Sequence, residues 1–327
     1  MKFSTIGTSW ITEMFIEAAH QIGKVKLYSV YSRKQEAAAR FAEKTGAEKW
    51  HTDLEELLKD SIDFVYVASP NILHYEHALA CIRQGKHVFC EKPLAYTRKQ
   101  VAILMDEAVK NNVFIFEGYR HLYSPNYEIL KRNLNQVGEI RSVLLQYIQY
   151  SSRYDAFKAG DEPNVFSKAF AGGALMDLGV YPLSMAIDLF GSPADIDYFP
   201  VKLRNGIDGS GTLVLSYTDF HITIMCSKIA QGTIPSEIHG EEGTLTMDHI
   251  APIKQIGLTT RSSQEIEQLA GSQLDLDMVY ELTAFINMVE TNDTEQFIQM
   301  MERSNKVAKW SEIARKKSGI LFPSEEN

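Results

Sequence analysis

Residues 2–12 read KFSTIGTSWIT, and this stretch decides the fold. Lys2–Ile6 predicts a short strand, Gly7 a tight turn, and the run from about Trp10 to Gln21 a helix. A strand that leads through a glycine turn into a helix places the helix amides at the carboxyl end of that strand. The start of the chain therefore predicts an α/β sheet with an anion-binding turn at its first junction.

The turn keeps part of the G-x-G-x-x-G/A pattern of dinucleotide-binding folds. Gly7 takes the first position, whereas Ser9 and Thr12 stand where the other small residues are expected. A serine hydroxyl can donate to a phosphate, and the helix N-terminus still supplies amides. A plain turn is the alternative. The residues expected to line the cofactor here are Gly7, Thr8, Ser9, Trp10 and Ile11.

Outward from this turn, short apolar runs alternate with helical periods as far as Phe116. The alternation predicts a parallel, Rossmann-type sheet with helices on its faces. Further strands are predicted at Lys26–Tyr31, Asp63–Ala68, Lys86–Cys90 and Val113–Phe116, and helices at Lys34–Lys44, Tyr75–Arg83 and Arg98–Lys110.

After Pro125 the pattern changes to strands joined by short turns, which predicts an α+β domain on a largely antiparallel, open sheet. The predicted strands are Gly138–Tyr150, Asp195–Leu203, Thr212–Tyr217, Ile222–Ser227 and Gly243–Met247, and the predicted helices are Gly172–Phe190, Leu276–Val289 and about Thr294–Lys316. We expect a dinucleotide-binding domain over residues 1–121 and a substrate-binding and dimerisation domain over 122–327. The sequence does not decide on which domain the C-terminal helix packs.

Composition excludes several classes of protein. The chain has 327 residues, 45% hydrophobic and 23% charged, with a net charge of −9 and no long basic run. It has neither a secretory apolar core at its start nor a run of about 18 apolar residues, the length that a membrane span needs. Three scattered cysteines, Cys81, Cys90 and Cys226, fit a reducing compartment. We expect a soluble, cytoplasmic protein without a nucleic-acid or membrane partner.

The end of the second predicted strand bears on cofactor choice. Sites that prefer NAD place an acid there to accept from the ribose 2′-hydroxyl. No acid occurs from Tyr28 through Gln35, whereas Ser32 and Arg33 could hold a 2′-phosphate. We expect NADP to be preferred, with NAD possible. The alternative is a solvated, cationic start to the next helix.

Three later motifs carry a family resemblance. Ser69-Pro70-Asn71 with His74, then Glu91-Lys92-Pro93, and finally GGALMDLGVYP at residues 172–182 follow one another at characteristic spacings. Over nearly its whole length the chain resembles the Gfo/Idh/MocA oxidoreductases. The resemblance implies that Lys92 lies by the nicotinamide ring. It also implies that the cofactor is lined by Ser69, Pro70, Asn71, His74 and Glu91.

Physical reasoning supports the role of Lys92. It ends a predicted parallel strand, where open α/β sheets bind ligands, and Pro93 restricts it to extended backbone. An exposed turn lysine is the alternative. His74 and His77 are three apart, but no third ligand stands nearby, so we expect no metal site.

Asp177 and Tyr181 are four residues apart and would share one face of a helix. Many relatives carry histidine at the Tyr181 position, and the tyrosine form resembles glucose–fructose oxidoreductase and the dihydrodiol dehydrogenases. A phenol needs a nearby cation such as Lys92 to titrate near neutrality. Tyr181 or Lys92 would exchange the substrate proton, and Asp177 would orient the substrate. A packed core tyrosine beside an acid is the alternative.

The resemblance implies an NAD(P)-dependent oxidoreductase that moves a hydride between nicotinamide and a carbinol carbon of a sugar, polyol or vicinal diol. A catalytically inactive dinucleotide-binding regulator on the same fold is the alternative, but the presence of Lys92, Asp177 and Tyr181 together favours an enzyme. Substrate contacts near Tyr154, Asp161 and Phe166 are guesses. We further expect a homodimer, because the helices of the second domain are too few to cover both faces of its sheet.

Overall fold

The computed structural model describes residues 1–325, apart from the side chains of Gln264 and Ser324. The chain forms two compact units. The first unit comprises Met1–Gly118 and Leu274–Asn305, and the second comprises Tyr119–Gln273 and Lys306–Asn327. The expected division of binding roles between residues 1–121 and 122–327 stays a prediction.

The first unit contains a parallel sheet flanked by helices. Its strands are β1 (Lys2–Ile6), β2 (Lys26–Tyr31), β3 (Lys49–His51), β4 (Phe64–Val67), β5 (His87–Glu91) and β6 (Ile115–Gly118). Its first five helices are α1 (Trp10–Ile22), α2 (Gln35–Thr45), α3 (Leu54–Leu58), α4 (Asn71–Arg83) and α5 (Arg98–Lys110). The strand order β3-β2-β1-β4-β5-β6 confirms the Rossmann-type sheet.

The strand order reverses between β1 and β4, and open α/β sheets bind ligands in the crevice outside the carboxyl ends of such a pair. Gly7 and Ala68, the residues that follow these two strands, therefore mark the expected cofactor position. The elements β3 and α3 were not predicted. The Lys49–His51 segment is only three residues long and lies largely at the surface, so it carries no apolar run to reveal it.

The second unit is built on an eight-stranded sheet. Its strands are β7 (Ile140–Ile148), β8 (Asp195–Lys202), β9 (Asp208–Ser216), β10 (His221–Ser227), β11 (Ser236–Gly240), β12 (Gly243–Met247), β13 (Ile256–Thr260) and β14 (Ser263–Gln268). Their order is β14-β13-β12-β11-β7-β10-β9-β8, with β7 and β10 parallel and the other pairs antiparallel. This confirms the largely antiparallel sheet. Three short strands, β11, β13 and β14, were not predicted.

The two faces of this sheet differ. One face carries a buried row across the register, Tyr198, Leu213 and Ile224, and faces the helical part of the unit. The other face carries Phe199 opposite Thr212, which lies opposite Met225. Apolar and polar side chains mix on this second face, and those of its central strands are half-buried.

The helices of the second unit are α6 (Pro125–Asn133), α7 (Tyr154–Lys158) and α8 (Val180–Phe190). The predicted continuous helix Gly172–Phe190 is wrong in one respect, because Leu175–Gly179 is a π-helical turn that precedes α8. The turn contains Asp177, and α8 begins just before Tyr181. In a π turn, residues four apart do not stack as they do on an α-helix, so the argument from a shared α-helical face does not apply.

The stretch 168–190 is also long and apolar enough to cross a membrane by length and composition. No such stretch was expected from the sequence. Its apolar window is 83% buried inside the protein, and the core helix of a soluble protein passes the same test.

The last two helices are α9 (Met278–Thr291) and α10 (Thr294–Lys317). Helix α9 belongs to the first unit, where Phe285 packs against Phe64, Phe89 and Phe116 at ring-centroid distances of 5.0, 5.5 and 5.8 Å. Helix α10 is divided between the units after Asn305. The C-terminal helix therefore belongs partly to each unit.

Candidate active site

The glycine turn after β1 is shaped by close backbone packing. Gly7 has a φ of 118°, and a Cβ there would lie 2.5 Å from the Ala68 carbonyl oxygen, so no other residue fits without a shift. Ser9 precedes α1 with extended backbone, and its hydroxyl makes no capping bond. The first amides of α1 have no intrahelical acceptor. Together these donors suit the pyrophosphate of a dinucleotide.

The neighbours of this turn divide into exposed and buried residues. Ser9 is exposed and Trp10 is 65% exposed, whereas Thr8 and Ile11 are half-buried. Thr12, at the third position of the glycine pattern, is fully buried on the inner side of α1. The chain thus accepts a threonine where the usual pattern needs a small residue for helix–strand packing.

Ser32 and Arg33 follow β2, and the charge of Arg33 acts on His77 of α4. The Ser32 amide donates to the His51 carbonyl at 3.2 Å, and Arg33 is exposed. Burial lowers the pKa of His77 to about 4, with further lowering from the charges of His74 and Arg33. His77 Nδ1 lies 2.9 Å from the Ser69 hydroxyl. His77 is therefore neutral, and Arg33 supplies a cation to this corner, which suits a 2′-phosphate.

The loop that carries Lys92 is held on both sides of the lysine. Glu91 accepts a hydrogen bond of 2.7 Å from the Tyr66 hydroxyl. The Leu94 amide donates to Glu117 Oε1 at 2.7 Å. His74 lies between two loops, with Nδ1 2.8 Å from the Pro93 carbonyl oxygen and Nε2 2.7 Å from the Ser69 carbonyl oxygen. The Lys92–Pro93 peptide bond is cis.

Burial controls the charge of the groups behind this loop. It raises the pKa of Tyr66 well above the ordinary value, helped by the charge of Glu91, so this phenol stays a donor. Burial also lowers the pKa of His74. His74 is buried and has backbone partners on both ring nitrogens, which gives it a supporting place behind the Ser69 and Pro93 loops. Its direct contact with a cofactor stays a prediction.

The two histidines that could suggest a metal site have other partners in the structure. His74 and His77 are engaged by the Ser69 and Pro93 groups described above. In the part of the chain that the structure describes, no group of three or more His, Cys, Asp or Glu side chains is placed to hold a metal ion.

In the second unit, Asp177 forms an ion pair with Lys228, a residue that sequence reasoning missed. Lys228 Nζ contacts Asp177 Oδ2. The lysine side chain is only 4% exposed, whereas the aspartate is 26% exposed. The sequence feature that could have indicated Lys228 is its position directly after the apolar strand β10. Its partner lies 51 residues away, and only tertiary structure could reveal the pair.

Asp208 was also missed, and it holds the start of the helical element. Its Oδ2 accepts hydrogen bonds from the Leu175 amide at 2.7 Å and from the Tyr198 hydroxyl at 2.6 Å. Gly173 has a φ of 105°, and a Cβ there would collide with the Asp208 carboxylate. Burial raises the pKa of Asp208 to about 6, opposed by these hydrogen bonds and by the charge of Lys228.

Tyr181 is buried in an aromatic and imidazole cluster. Its ring centroid lies 5.1 Å from His121, 5.3 Å from Tyr147 and 6.3 Å from Tyr119. Its backbone carbonyl accepts from Ser184 Oγ at 2.8 Å, and His121 Nε2 lies 3.1 Å from the same oxygen. These contacts fix the first turn of α8. Tyr147, interpreted from sequence as sheet packing, belongs to this cluster.

The residues that were guessed as substrate contacts fall into two settings. Tyr154 and Phe166 lie in one aromatic group, with centroids 5.5 Å apart, and Lys228 Nζ lies 5.5 Å from the Phe166 ring. Asp161 is exposed, and its carbonyl accepts from Arg204 at 2.6 Å. Phe166 is therefore connected to Asp177 through Lys228, and Asp161 lies at the surface.

The structure thus brings the predicted residues together in two sets. The first unit groups the turn after β1, the Ser32–Arg33 corner and the Lys92 loop around the carboxyl ends of β1, β2, β4 and β5. The second unit groups Asp177 with Lys228 and places Tyr181 in its cluster. The meeting of Lys92 and Tyr181 at one substrate oxygen stays a prediction.

The chain is similar to known oxidoreductases in sequence. Residues 1–119 match the model of an oxidoreductase family with an NAD-binding Rossmann fold, and residues 133–246 match a GFO/IDH/MocA C-terminal domain. The chain is 39% identical over 327 residues to scyllo-inositol 2-dehydrogenase (NADP(+)) IolU of Bacillus subtilis (strain 168), covering 100% of this chain and 99% of that protein.

Two further relatives are more distant. Trans-1,2-dihydrobenzene-1,2-diol dehydrogenase of Xenopus tropicalis is 28% identical over 253 residues, covering 75% of this chain and 74% of that protein. The crystal structure of KijD10, a 3-ketoreductase from Actinomadura kijaniata in complex with NADP and TDP-benzene, superposes with a TM-score of 0.83 at 24% identity, covering 97% of each chain. This last likeness concerns the fold.

Proposed function

The chain belongs to the Gfo/Idh/MocA family of oxidoreductases, and from that membership we propose that it is an NADP-dependent dehydrogenase acting on a cyclic polyol. A hydride moves between nicotinamide C4 and a carbinol carbon of the substrate. NAD serves as a weaker alternative cofactor.

One observation carries this proposal at the level of the site. Asp177 and Tyr181 begin one helical element and lie in contrasting surroundings: Asp177 beside the buried ammonium of Lys228, and Tyr181 among Tyr119, His121 and Tyr147. A carboxylate held beside a cation can accept from a substrate hydroxyl, and a phenol can exchange a proton. An inactive regulator has no need of such a pair.

The residues of the first unit fit the cofactor. The amides of α1 with Ser9 would hold the pyrophosphate, and Ser32 with Arg33 would hold the 2′-phosphate. The bound nicotinamide supplies the hydride exchange. Lys92 is held in its loop by the bonds to Glu91, Pro93 and Leu94, and it would direct its ammonium toward the reacting hydroxyl.

The proton route involves Lys92 and Tyr181. Either residue would take the proton of the substrate hydroxyl during oxidation and return it during reduction. Lys92 and Tyr181 would interact and titrate together, so the proton exchange is assigned to the pair and not to one of the two residues. Asp177 would accept a hydrogen bond from the reacting or the neighbouring hydroxyl and so orient the ring.

The substrate class is an inositol-like cyclohexane polyol. This choice is supported by the name of the relative that matches the full length of the chain, a scyllo-inositol 2-dehydrogenase (NADP(+)). The dihydrodiol dehydrogenases, which match over three quarters of the chain, act by name on a cyclic vicinal diol. A ring with adjacent hydroxyls is common to both.

The experiment is to follow NADPH absorbance while the protein is incubated with NADP and a panel of inositols, aldoses, acyclic polyols and trans-diols. We expect the highest kcat/KM with an inositol and at least tenfold less with acyclic polyols. Tight NADPH binding with no turnover of any compound would contradict the proposal and favour the regulator.

The assembly we propose is a homodimer in the cytoplasm. The face of the second sheet that bears Thr212 and Met225 continues to Phe199 and Val201 on β8, which are 64% and 56% exposed. An extended, partly apolar face of this kind is normally buried by a partner, and a face-to-face pair is the commonest closed arrangement. All three cysteines are free and buried, which suits a reducing compartment.

Light scattering coupled to gel filtration tests the dimer. We expect twice the chain mass at micromolar concentration, and a shift toward the monomer in Phe199→Asp. As a control, Ile298→Asp replaces an exposed apolar residue of α10 in the first unit, and it should leave the mass unchanged. A wild-type monomer at this concentration would contradict the proposal.

A further inference from the structure

Lys228 is a buried lysine that pairs directly with a carboxylate of the second unit. The side chain is 4% exposed, and Nζ contacts Asp177 Oδ2. Lysine is almost never buried to this extent unless it is paired, because removing an ammonium from water is costly. A lysine can therefore be buried at this position because its ammonium is paired with Asp177.

The backbone around Lys228 fixes the direction of its side chain. Its amide donates to the Gly209 carbonyl at 2.8 Å, and its carbonyl accepts from the Ser151 amide at 2.9 Å. The residue thus continues β10 by one position with both backbone groups bonded. Since the Phe166 ring lies 5.5 Å from Nζ, the ammonium is held between an aromatic face and the carboxylate.

The two members of the pair differ in exposure. Asp177 is 26% exposed, whereas Lys228 lies behind it. A pair that served packing alone would gain nothing from leaving its carboxylate accessible, since an apolar pair of similar volume stabilises a core equally well. This arrangement presents a carboxylate outward and keeps its counter-charge inside.

Other titratable groups surround the pair. Asp208 on β9 interacts with the charge of Lys228 and has its pKa raised by burial to about 6. Tyr198 on β8 donates to Asp208 and contacts Cys226 on β10, and burial raises the pKa of both Tyr198 and Cys226, so they stay neutral. The Lys228 ammonium therefore pairs with Asp177 and also acts through its charge on Asp208, and its removal would leave both carboxyl groups without this cation.

We propose that Lys228 is a positioning residue of the reaction: its buried ammonium keeps Asp177 ionised and fixes the direction in which its carboxylate meets the substrate hydroxyl. This inference rests on the proposed function, because it takes Asp177 as the residue that orients the polyol. Lys228 acts through Asp177.

The test compares Lys228→Met with Lys228→Arg. Methionine keeps much of the volume and removes the charge, whereas arginine keeps the charge. In Lys228→Met we expect kcat/KM for the best polyol to fall about tenfold to 150-fold at neutral pH, as for a lost charge-assisted contact. NADPH affinity should stay within twofold of wild type. Lys228→Arg should recover at least half of the loss on a logarithmic scale.

A second readout needs no turnover. Carbon NMR of protein labelled at the aspartate carboxyl carbons, with Asp177→Asn to assign the signal, reports when Asp177 takes up a proton. In Lys228→Met we expect the midpoint to move to higher pH by about one unit or more, because the Asp177 carboxylate has lost its neighbouring cation. The acid side of the kcat/KM profile should move with it.

Lys131→Met is the matched control. Lys131 pairs with Asp188 on α8 at 3.1 Å, but its side chain is 41% exposed. We expect wild-type kcat/KM and an unchanged Asp177 signal, since exposed pairs contribute little.

Two results would overturn the inference. One is a Lys228→Met protein with the Asp177 midpoint of wild type. The other is an unchanged kcat/KM in that variant while the wild type is active. Failure of the proposed function would appear separately, as a wild type that oxidises none of the panel, and the NMR titration would still decide for or against the pair.

Discussion

The two units differ in where the described bonds support their candidate catalytic groups. In the first unit, three bonds support the neighbours of Lys92: Tyr66 holds Glu91, His74 meets the Pro93 carbonyl and Glu117 holds the Leu94 amide. In the second unit, a bond goes to the catalytic candidate itself, since Lys228 pairs with the Asp177 side chain.

This difference indicates which properties each unit controls. The bonds to Glu91, Pro93 and Leu94 do not involve the Lys92 side chain, so they remain when that side chain is changed. A carboxylate fixed through its own charge depends on every charge nearby. The first unit therefore controls mainly position, and the second controls both position and protonation.

The largest effects are expected from Lys92→Met and Tyr181→Phe. Each should lower kcat about 10²–10⁴-fold, as for loss of a general acid–base group, with NADPH affinity largely kept. The double variant should be little worse than the worse single variant, because groups that act as one unit are not additive. Steady-state kinetics and fluorescence titration with NADPH measure both quantities.

Wild-type rates in both single variants would show that the proton route does not exist. Multiplicative losses in the double variant would instead separate the roles of the two residues. The control is Tyr217→Phe, which removes a hydroxyl that donates to the Gly191 carbonyl away from Tyr181, and it should leave kcat unchanged.

Arg33→Ala should act on the cofactor alone. Loss of a charge-assisted contact to the 2′-phosphate costs about 1.5–3 kcal/mol, or about tenfold to 150-fold in NADPH affinity. NADH affinity should hardly change, because NADH lacks that phosphate. Binding titrations with both cofactors measure this, and Arg40→Ala, on the exposed side of α2, is the control. Equal wild-type affinities for NADH and NADPH would refute this assignment.

Asp208→Asn tests the control of protonation in the second unit. Burial raises the pKa of Asp208 from its ordinary value of 3.8 to about 6. Between these values the folded protein binds more protons than the unfolded chain, so its stability falls as the pH rises. Asparagine does not titrate. Relative to wild type, the variant should therefore gain up to about 1.4 kcal/mol per pH unit in this window and show no further gain above it.

Urea unfolding from pH 4.5 to 7.5 measures this slope. Asp195→Asn is the control: Asp195 is exposed, and a hydrogen bond from Lys317 lowers its pKa, so it titrates below the window. Parallel stability curves for Asp208→Asn and wild type would show that the buried carboxyl has no raised pKa.

The smallest effect is expected from Tyr66→Phe in the first unit. The change removes the donor to Glu91 and should lower the free energy of unfolding by about 1 kcal/mol, a typical value for one hydrogen bond. Because Glu117 and His74 still hold the loop, kcat should fall less than tenfold. A loss as large as that of Lys92→Met would show that the three supports are not redundant. Thermal unfolding and kinetics measure both quantities.

Sequence reasoning recovered the elements that local pattern determines. Lys2–Ile6, Lys26–Tyr31 and Arg98–Lys110 have the bounds that were predicted, because apolar period and stop signals are strong there. Polar strands such as β14 lacked such a period. The π turn at Leu175–Gly179 escaped because its cause lies elsewhere in the chain: Asp208 holds the Leu175 amide from 33 positions away.

The candidate site shows the same limit. Lys92, Asp177 and Tyr181 could be proposed from motifs, whereas their supports could not. Tyr66 lies in the apolar strand β4, and Lys228 directly follows β10. Nothing in the sequence near them names a partner. A buried tyrosine in a strand or a lysine at a strand end is a reason to search for a bond. Which bond it makes is decided by the fold.

The discontinuity of the first unit has a consequence for how the protein is made. A ribosome completes β6 at residue 118 but does not begin α9 until residue 278. At about 5–20 residues per second this interval lasts roughly 10–30 s. Until then Phe285 is absent, and Phe64, Phe89 and Phe116 lack the ring that packs across them. The nascent dinucleotide-binding sheet therefore exposes an aromatic surface while the whole second sheet is synthesised. This intermediate is the species that a chaperone would bind.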